Sequence, residues 1–216
     1  MKLADFVKKY SNVQVVDSST FSLLGEDPQK IRCQVQYWVK QGHLILLKRG
    51  VYILSENLRR QPLSMGFIAN SLVCPSYLSM EYALSYYDLI PEKTTVYTSI
   101  TTKKTNLFKT PLGIFEYRSI KEGLFYGFTK RINDGQNCFI AYPEKALLDF
   151  FYFSRQEISA DADTEVFESY RFQNVESLNL KRFNELRQKY DKKTNNIGRS
   201  FMEFVRLEKK RYKKLK

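Results

Sequence analysis

The feature that most constrains this chain is residues 18–54, where two short helical patterns are followed directly by a tight hairpin. In order, the segments are a helical pattern at 18–25, a second at 27–41, and two apolar strand patterns at 44–47 and 51–54. In the turn Lys48-Arg49-Gly50, the glycine supplies backbone freedom and the two cations are expected to project from the tip. This order is typical of a winged helix-turn-helix, which contacts DNA through the outer face of its second helix and the tip of its hairpin.

The second helical pattern has clear end signals and one apolar stripe. Asp27 is a good N-cap, Pro28 fits the first helical position, and Gly42 follows where a left-handed cap is expected. Apolar residues at helical spacing predict the buried stripe: Ile31, Val35, Trp38 and Val39.

The face opposite this stripe is polar and, with the hairpin, supplies the candidate DNA-binding residues. Glutamine can read an adenine edge with two hydrogen bonds, and lysine or arginine can bind phosphate or guanine. The predicted set is Gln29, Lys30, Arg32, Gln36, Tyr37, Lys40, Lys48 and Arg49. The alternative is a helix face that is only solvated; a hairpin with two adjacent cations directly after the helix favours DNA contact.

The composition is that of a packed globular protein, because apolar residues make up 43% of the chain and aromatic residues 15%. No stretch approaches the roughly 18 apolar residues that a membrane span needs, and residues 1–5 do not begin a secretory signal. The three cysteines, Cys33, Cys74 and Cys138, are far apart and form no disulfide or zinc framework. We therefore expect a cytoplasmic protein with no membrane partner.

The net charge of +12 is concentrated at the end of the chain. Residues 1–57 carry 8 Lys/Arg and 5 Asp/Glu, residues 58–180 carry 13 and 14, and residues 181–216 carry 14 and 4, which gives +3, −1 and +10. The basic C-terminal block either binds a phosphate backbone regardless of sequence or is a solvated tail. A pI near 9.5 favours a nucleic-acid partner.

A polar linker at 57–62 divides the chain into two predicted domains, a winged helix-turn-helix at 1–57 and an α+β domain at 62–216. In the second domain, helices are expected at 63–73, 77–89, 144–153, 160–172, 179–190 and 197–212, and strands at 94–101, 107–109, 114–120, 124–130 and 137–142. Helices, then strands, then helices predict an α+β domain with an antiparallel-type sheet and C-terminal helices.

The sequence offers little catalytic chemistry. His43 is the only histidine, which argues against a His-rich metal site or a Ser-His-Asp arrangement. Glu144, Lys145 and Asp149 suggest a metal-dependent nuclease, which would need a further acid at the metal. The spacing of five places the two carboxylates about 140° apart on a helix, and an acid in a first helical turn favours the positive end of the helix dipole. We therefore predict no catalytic, cofactor-binding or metal-binding residues, with a nuclease as the less favoured alternative.

Three segments together resemble a known family. They are Val39-Lys40-Gln41-Gly42-His43-Leu44 with Leu47-Lys48-Arg49-Gly50-Val51-Tyr52, then Ser76-Tyr77-Leu78-Ser79-Met80-Glu81-Tyr82-Ala83-Leu84 with Asp88-Leu89-Ile90-Pro91, and Tyr142-Pro143-Glu144-Lys145-Ala146-Leu147-Leu148-Asp149. In this order and spacing, over about residues 18–155, the chain resembles the AbiEi-type antitoxins, which are transcriptional regulators of type IV toxin–antitoxin (abortive infection) systems.

The resemblance implies a winged helix that binds inverted repeats upstream of its own operon and represses transcription. It also implies a second domain that neutralises a nucleotidyltransferase-like toxin, not necessarily through a stable complex. By position, the implied DNA-facing residues are Arg32, Gln36, Lys40, Lys48 and Arg49. The alternative is a winged-helix transcriptional regulator with a ligand- or partner-sensing second domain and no toxin.

Overall fold

The computed structural model describes residues 1–158 and 164–214 as an α+β fold with two sheets. The first part of the chain contains α1 (Leu3–Tyr10), β1 (Val16–Asp17), a 3-10 helix (Ser18–Leu24), α2 (Pro28–Lys40), β2 (Leu44–Lys48) and β3 (Val51–Leu54). Its strands form an antiparallel sheet in the order β1-β3-β2. The expected pair of helical segments followed by a hairpin is therefore present, with the first segment as a 3-10 helix and β1 as an additional strand.

The rest of the described chain surrounds a larger sheet. Its helices are α3 (Met65–Leu72), α4 (Met80–Tyr86), α5 (Pro143–Ser154), α6 (Thr164–Ser169), α7 (Leu180–Arg187) and α8 (Lys192–Lys214). Its strands are β4 (Ser76–Leu78), β5 (Val96–Thr101), β6 (Asn106–Thr110), β7 (Gly113–Ser119), β8 (Phe128–Asn133) and β9 (Gln136–Ala141). Of the helix predicted at 160–172, residues 160–163 lie outside the described residues. Among the described helices, none has both the length and the apolar character that a membrane crossing requires.

The larger sheet is mixed rather than antiparallel. Its strands lie in the order β6-β7-β5-β4-β9-β8, and the pairs β5/β7 and β4/β9 are parallel while the other three are antiparallel. The expectation of an antiparallel-type sheet is wrong because only two of the neighbouring pairs, β6/β7 and β8/β9, are joined by short hairpins. Longer connections place the parallel strands side by side.

The helix predicted at 77–89 is shorter than expected. Its first residues belong to strand β4, which lies between β5 and β9, and the helix begins only at Met80. All three residues of β4 are buried. A central strand of this kind lacks the alternation of polar and apolar residues that marks a half-exposed strand, so the sequence pattern did not indicate it.

Two groups of buried side chains form the cores, and the β2–β3 hairpin contributes to both. The smaller core contains Phe6, Tyr10, Val16, Phe21, Ile31, Val35, Trp38, Leu44, Tyr52 and Leu54. On β3, Tyr52 and Leu54 face this smaller core while Val51 and Ile53 face the larger one, because successive side chains of a strand point to opposite sides. Strand β3 is therefore buried on both faces.

Candidate nucleic-acid interface

The ends of helix α2 are fixed by its own sequence. The carboxylate of Asp27 accepts a hydrogen bond from the backbone N–H of Gln29 (2.9 Å), and Pro28 occupies the first turn, where no helical hydrogen bond is lost. Beyond the helix, Gly42 has a φ of +75°, which allows the chain to reverse into β2. The predicted end signals are confirmed, and they fix where α2 begins and ends.

The inner face of α2 packs against the smaller core. Ile31 and Val35 are fully buried, and the ring of Trp38 lies 5.0 Å from that of Phe6. Val39 packs at the edge of the same core. The six candidate residues on the opposite face are all exposed: Gln29, Lys30, Arg32, Gln36, Tyr37 and Lys40.

The outward face of α2 is chemically suited to a polyanion that also presents hydrogen-bond donors and acceptors. Its cations, Lys30, Arg32 and Lys40, have no ion-pair partner within residues 1–158 and 164–214. The glutamine amides carry both donors and acceptors, as a base edge does. Tyr37 leaves 60% of its surface in solvent, so the face also presents an aromatic ring.

The two hairpin cations do not project together. Arg49 is exposed at the turn, whereas Lys48 is half-buried and donates a hydrogen bond to the backbone carbonyl of Leu72. The Lys48 ammonium also lies 5.8 Å from the centre of the Phe108 ring. The prediction that both cations extend from the tip is therefore wrong for Lys48, because the hairpin packs against the larger core and this side chain lies on the contact.

The turn is also tied to the start of the 3-10 helix. Gly50 has a φ of +82°, and its carbonyl accepts a hydrogen bond from the N–H of Ser18 (2.7 Å). This left-handed φ favours glycine, and a Cβ at Gly50 would in addition lie 2.6 Å from Oγ of Ser18, which would have to move. Of the two predicted hairpin residues, Arg49 is the one that the structure leaves exposed.

His43 forms the junction between α2 and the hairpin. Its N–H donates to the carbonyl of Trp38 and its carbonyl accepts from the N–H of Ser55, both at 2.9 Å. These backbone bonds give the residue a structural position at the start of β2.

A second basic surface, which the sequence analysis did not identify residue by residue, lies between α7 and α8. Lys181, Arg187, Arg199 and Arg206 line a cavity of about 480 Å³ together with a single acid, Glu203. Partial burial and the nearby charge of Arg199 lower the pKa of Arg187. The seven-residue spacing of two of these arginines on one helix face was the available signal.

The last turns of α8 are less available for a partner than a solvated tail would be. Lys209 donates to the carbonyl of Leu178 (2.9 Å), and Arg211 pairs with Glu168 (3.3 Å) and Glu208 (2.7 Å). Two cations of the basic C-terminal block therefore have partners within the protein, and the groove between α7 and α8 is the better candidate for a phosphate contact.

Glu144, one of the two acids considered for a nuclease, is almost fully buried in the first turn of α5. Its carboxylate accepts hydrogen bonds from the backbone N–H of Asn179 (2.8 Å) and from the guanidinium of Arg182 (3.4 Å). It shares none of these partners with Asp149, as the helical spacing predicts.

Asp149 belongs to a polar network that is entirely buried. Its carboxylate accepts hydrogen bonds from the ammonium of Lys145 and from three hydroxyls: Tyr77 (3.0 Å), Ser79 (2.8 Å) and Tyr190 (2.7 Å). Lys145 also donates to the Tyr190 hydroxyl. Burial lowers the pKa of Lys145, with Asp149 opposing the effect, and burial together with the Asp149 charge raises the pKa of Tyr77 and Tyr190.

Within the described ranges, no group of three or more His, Cys, Asp or Glu side chains is arranged to hold a metal ion. Comparison with models of known protein families and with curated protein sequences finds no match for this chain. The features of this chain that bear on its function are the outward face of α2, the exposed Arg49 and the groove between α7 and α8.

Proposed function

We propose that the chain is a DNA-binding transcriptional autorepressor that also acts as the antitoxin of a type IV toxin–antitoxin system. In this proposal, residues 1–57 are a winged helix-turn-helix that binds inverted repeats in the chain's own operator. The second domain neutralises a nucleotidyltransferase-like toxin without requiring a stable complex. The protein acts by binding, and no catalytic step is assigned to it.

The observation that carries the proposal is the outward face of α2. A 3-10 helix precedes α2 and an antiparallel hairpin follows it, which is the order of elements in a winged helix. The buried inner face fixes α2 in its rotation, so Gln36 and Lys40 are held outward one turn apart. A rigid helix with amides and unpaired cations on one face suits direct readout in a major groove.

The groove between α7 and α8 supports a second, sequence-independent contribution. Four cations against one acid attract a phosphate backbone through counterion release, whatever the base sequence. In this division of roles, α2 supplies specificity and the groove supplies general affinity.

The experiment is a gel-shift titration on DNA from upstream of the chain's own gene and on a scrambled control, over a series of salt concentrations. The wild-type protein should retain the upstream DNA at salt that releases the scrambled DNA. The variant Gln36→Ala/Lys40→Ala should lose about tenfold or more in specific affinity, since one good base contact contributes about 1–3 kcal/mol. Lys8→Ala, which removes an exposed cation from α1, is the matched control and should keep the wild-type preference.

Equal affinity for both DNAs, lost steeply with salt, would contradict the specific role of α2. Retained specificity in Gln36→Ala/Lys40→Ala would also place the reading surface elsewhere. In either case the variant's circular dichroism spectrum must match the wild type, so that unfolding is not mistaken for lost contact.

The antitoxin half has its own test, which is co-expression with the product of a nucleotidyltransferase-like gene immediately downstream. Restored growth supports the proposal, and persistent toxicity rejects this half of it.

The alternative, a regulator with a ligand-sensing second domain and no toxin, is favoured by one observation, a cavity beside α4 and α5 with a carboxylate in its wall.

A further inference from the structure

The cavity beside α4 and α5 has a size and lining suited to a small ligand. Its volume is about 370 Å³, within the range of natural small-molecule pockets. Apolar side chains form most of its wall, including Leu84, Ile90, Phe150 and Phe172. It is separate from the outward face of α2 and from the groove between α7 and α8.

Glu81 is the unusual member of this wall. Its Oε2 is buried and accepts no hydrogen bond from any described residue, and the residue makes no ion pair within the described ranges. Burial raises the pKa of the Glu81 carboxyl, an effect that a hydrogen bond from the residue's own backbone and the charge of Arg118 partly oppose. Arg118 itself is held by Glu116 at 2.8 Å, so it does not neutralise Glu81 directly.

The other charges at the cavity cancel. Arg171 and Glu92 also line it, and they pair with each other at 3.0 Å. Glu81 is therefore the uncompensated charge of the lining, on a protein whose overall charge is +12. A carboxylate that has no ion-pair partner, and one oxygen without a hydrogen-bond donor, is satisfied best by a ligand that brings a cationic donor.

The aromatic rings of the cavity favour the same ligand chemistry. The ring of Phe150 meets the ring of Tyr170 edge to face at 5.5 Å and that of Phe172 at 6.2 Å. Aromatic faces attract a cation and provide contact area for an apolar body. An ammonium group and a ring or short aliphatic chain would thus both find complementary surface.

We infer that this cavity binds a small primary amine with an apolar or aromatic body, its ammonium group paired with Glu81 and its body against Phe150, Tyr170 and Phe172. The inference goes beyond the proposed function and does not depend on DNA binding. It assigns the second domain a positively charged ligand, whereas the partner proposed for α2 is a polyanion.

Isothermal titration of the full chain with phenethylamine, and with phenethyl alcohol as a neutral analogue of the same shape, tests the inference. The amine should bind with a Kd of about 1 mM or tighter, and the alcohol about tenfold more weakly. Glu81→Gln should remove the preference for the amine. Glu122→Gln, which neutralises an exposed carboxylate outside the cavity lining, is the matched control and should retain it.

Several outcomes overturn the inference: no heat of binding with the amine at about 10 mM, equal affinity for amine and alcohol, or an equal loss in both glutamine variants. The comparison of the two ligands on the wild-type chain decides the question even if Glu81→Gln fails to fold.

Discussion

Helices α2 and α5 begin with the same sequence signal but lie in opposite environments, one at the surface and one in the interior. Each has proline at its first position and lysine at its third, Lys30 in α2 and Lys145 in α5. Lys30 is exposed and without an ion-pair partner in the described part of the chain, whereas Lys145 is fully buried and bonded to Asp149. The same local sequence signal therefore produces a free surface cation in one helix and an internal hydrogen-bond donor in the other.

The difference lies in how many sides of each helix are packed. Helix α2 buries one stripe against the smaller core, but in α5 every residue from Glu144 to Asp149 is buried. A lysine on an enclosed helix needs a partner, because an unpaired buried charge is costly. In α5 the partner comes four residues later as Asp149, and in α2 the corresponding residue is Gln34, which is uncharged.

The largest expected effect comes from removing the charge of Lys145. Lys145→Met leaves Asp149 buried and unpaired, so the free energy of unfolding should fall by about 3–5 kcal/mol. The matched change Lys30→Met, on the exposed helix face, should alter it by less than about 0.5 kcal/mol. Both values follow from urea unfolding monitored by circular dichroism.

A double variant sharpens this prediction. Lys145→Met/Asp149→Leu removes both charges and should be more stable than Lys145→Met alone, although the three hydroxyls of the network lose their acceptor. If Lys145→Met and Lys30→Met had the same small effect, the buried network would have no special role in stability.

The inner face of α2 gives the next comparison, between two adjacent aromatic residues. Trp38→Ala should cost about 3–5 kcal/mol of unfolding free energy, because Trp38 fills the smaller core against Phe6. Tyr37→Ala removes a ring that is 60% exposed and should change stability little. Equal destabilisation by the two variants would mean that α2 does not turn Trp38 inward and Tyr37 outward.

Local signals were sufficient for α2 and insufficient for α5. Capping by Asp27, the proline at the first position and the glycine after the helix act within a few residues, so the sequence predicted the helix and its two faces. The pair Lys145–Asp149 was visible as a spacing of four, but nothing local indicated that helix α5 is enclosed on all sides. Strand β4 was missed for the same reason, because its place in the centre of the sheet depends on pairing with β5 and β9 and not on its local sequence.

In the candidate nucleic-acid interface, too, the sequence predicted what local signals determine and missed what depends on residues distant in sequence. The α2 candidates were correctly predicted to be exposed, because helix periodicity is a local property of the sequence. The position of Lys48 depends on Leu72 and Phe108, which are distant in sequence, so the hairpin pattern alone suggested the wrong direction. The groove between α7 and α8 likewise requires two helices to be packed side by side.

The buried network also predicts how stability changes at high pH. Because burial and Asp149 raise the pKa of Tyr77 and Tyr190 in the folded state, the unfolded chain ionises these hydroxyls first as pH rises through about 10. Below that pH each hydroxyl contributes its full stabilisation. Above it, each of the two hydroxyls should lower the free energy of unfolding by up to about 1.4 kcal/mol per pH unit. Urea unfolding at several pH values, with tyrosinate absorbance as the ionisation signal, checks this. Ionisation of all tyrosines in a folded protein near pH 10 would contradict it.

The smallest expected effects separate the two neighbouring cations of the hairpin. Lys48→Met removes the hydrogen bond to the Leu72 carbonyl and should reduce the unfolding free energy by about 0.5–1.5 kcal/mol, without changing the salt dependence of DNA binding. Arg49→Ala should leave stability unchanged. Under the proposed function it removes one phosphate contact, which lowers the slope of log affinity against log salt by about 0.9. Unfolding curves and salt-dependent DNA titrations of the two variants give both quantities. The reverse assignment, with Lys48 affecting the slope and Arg49 affecting stability, would mean that the hairpin turns its other cation toward DNA.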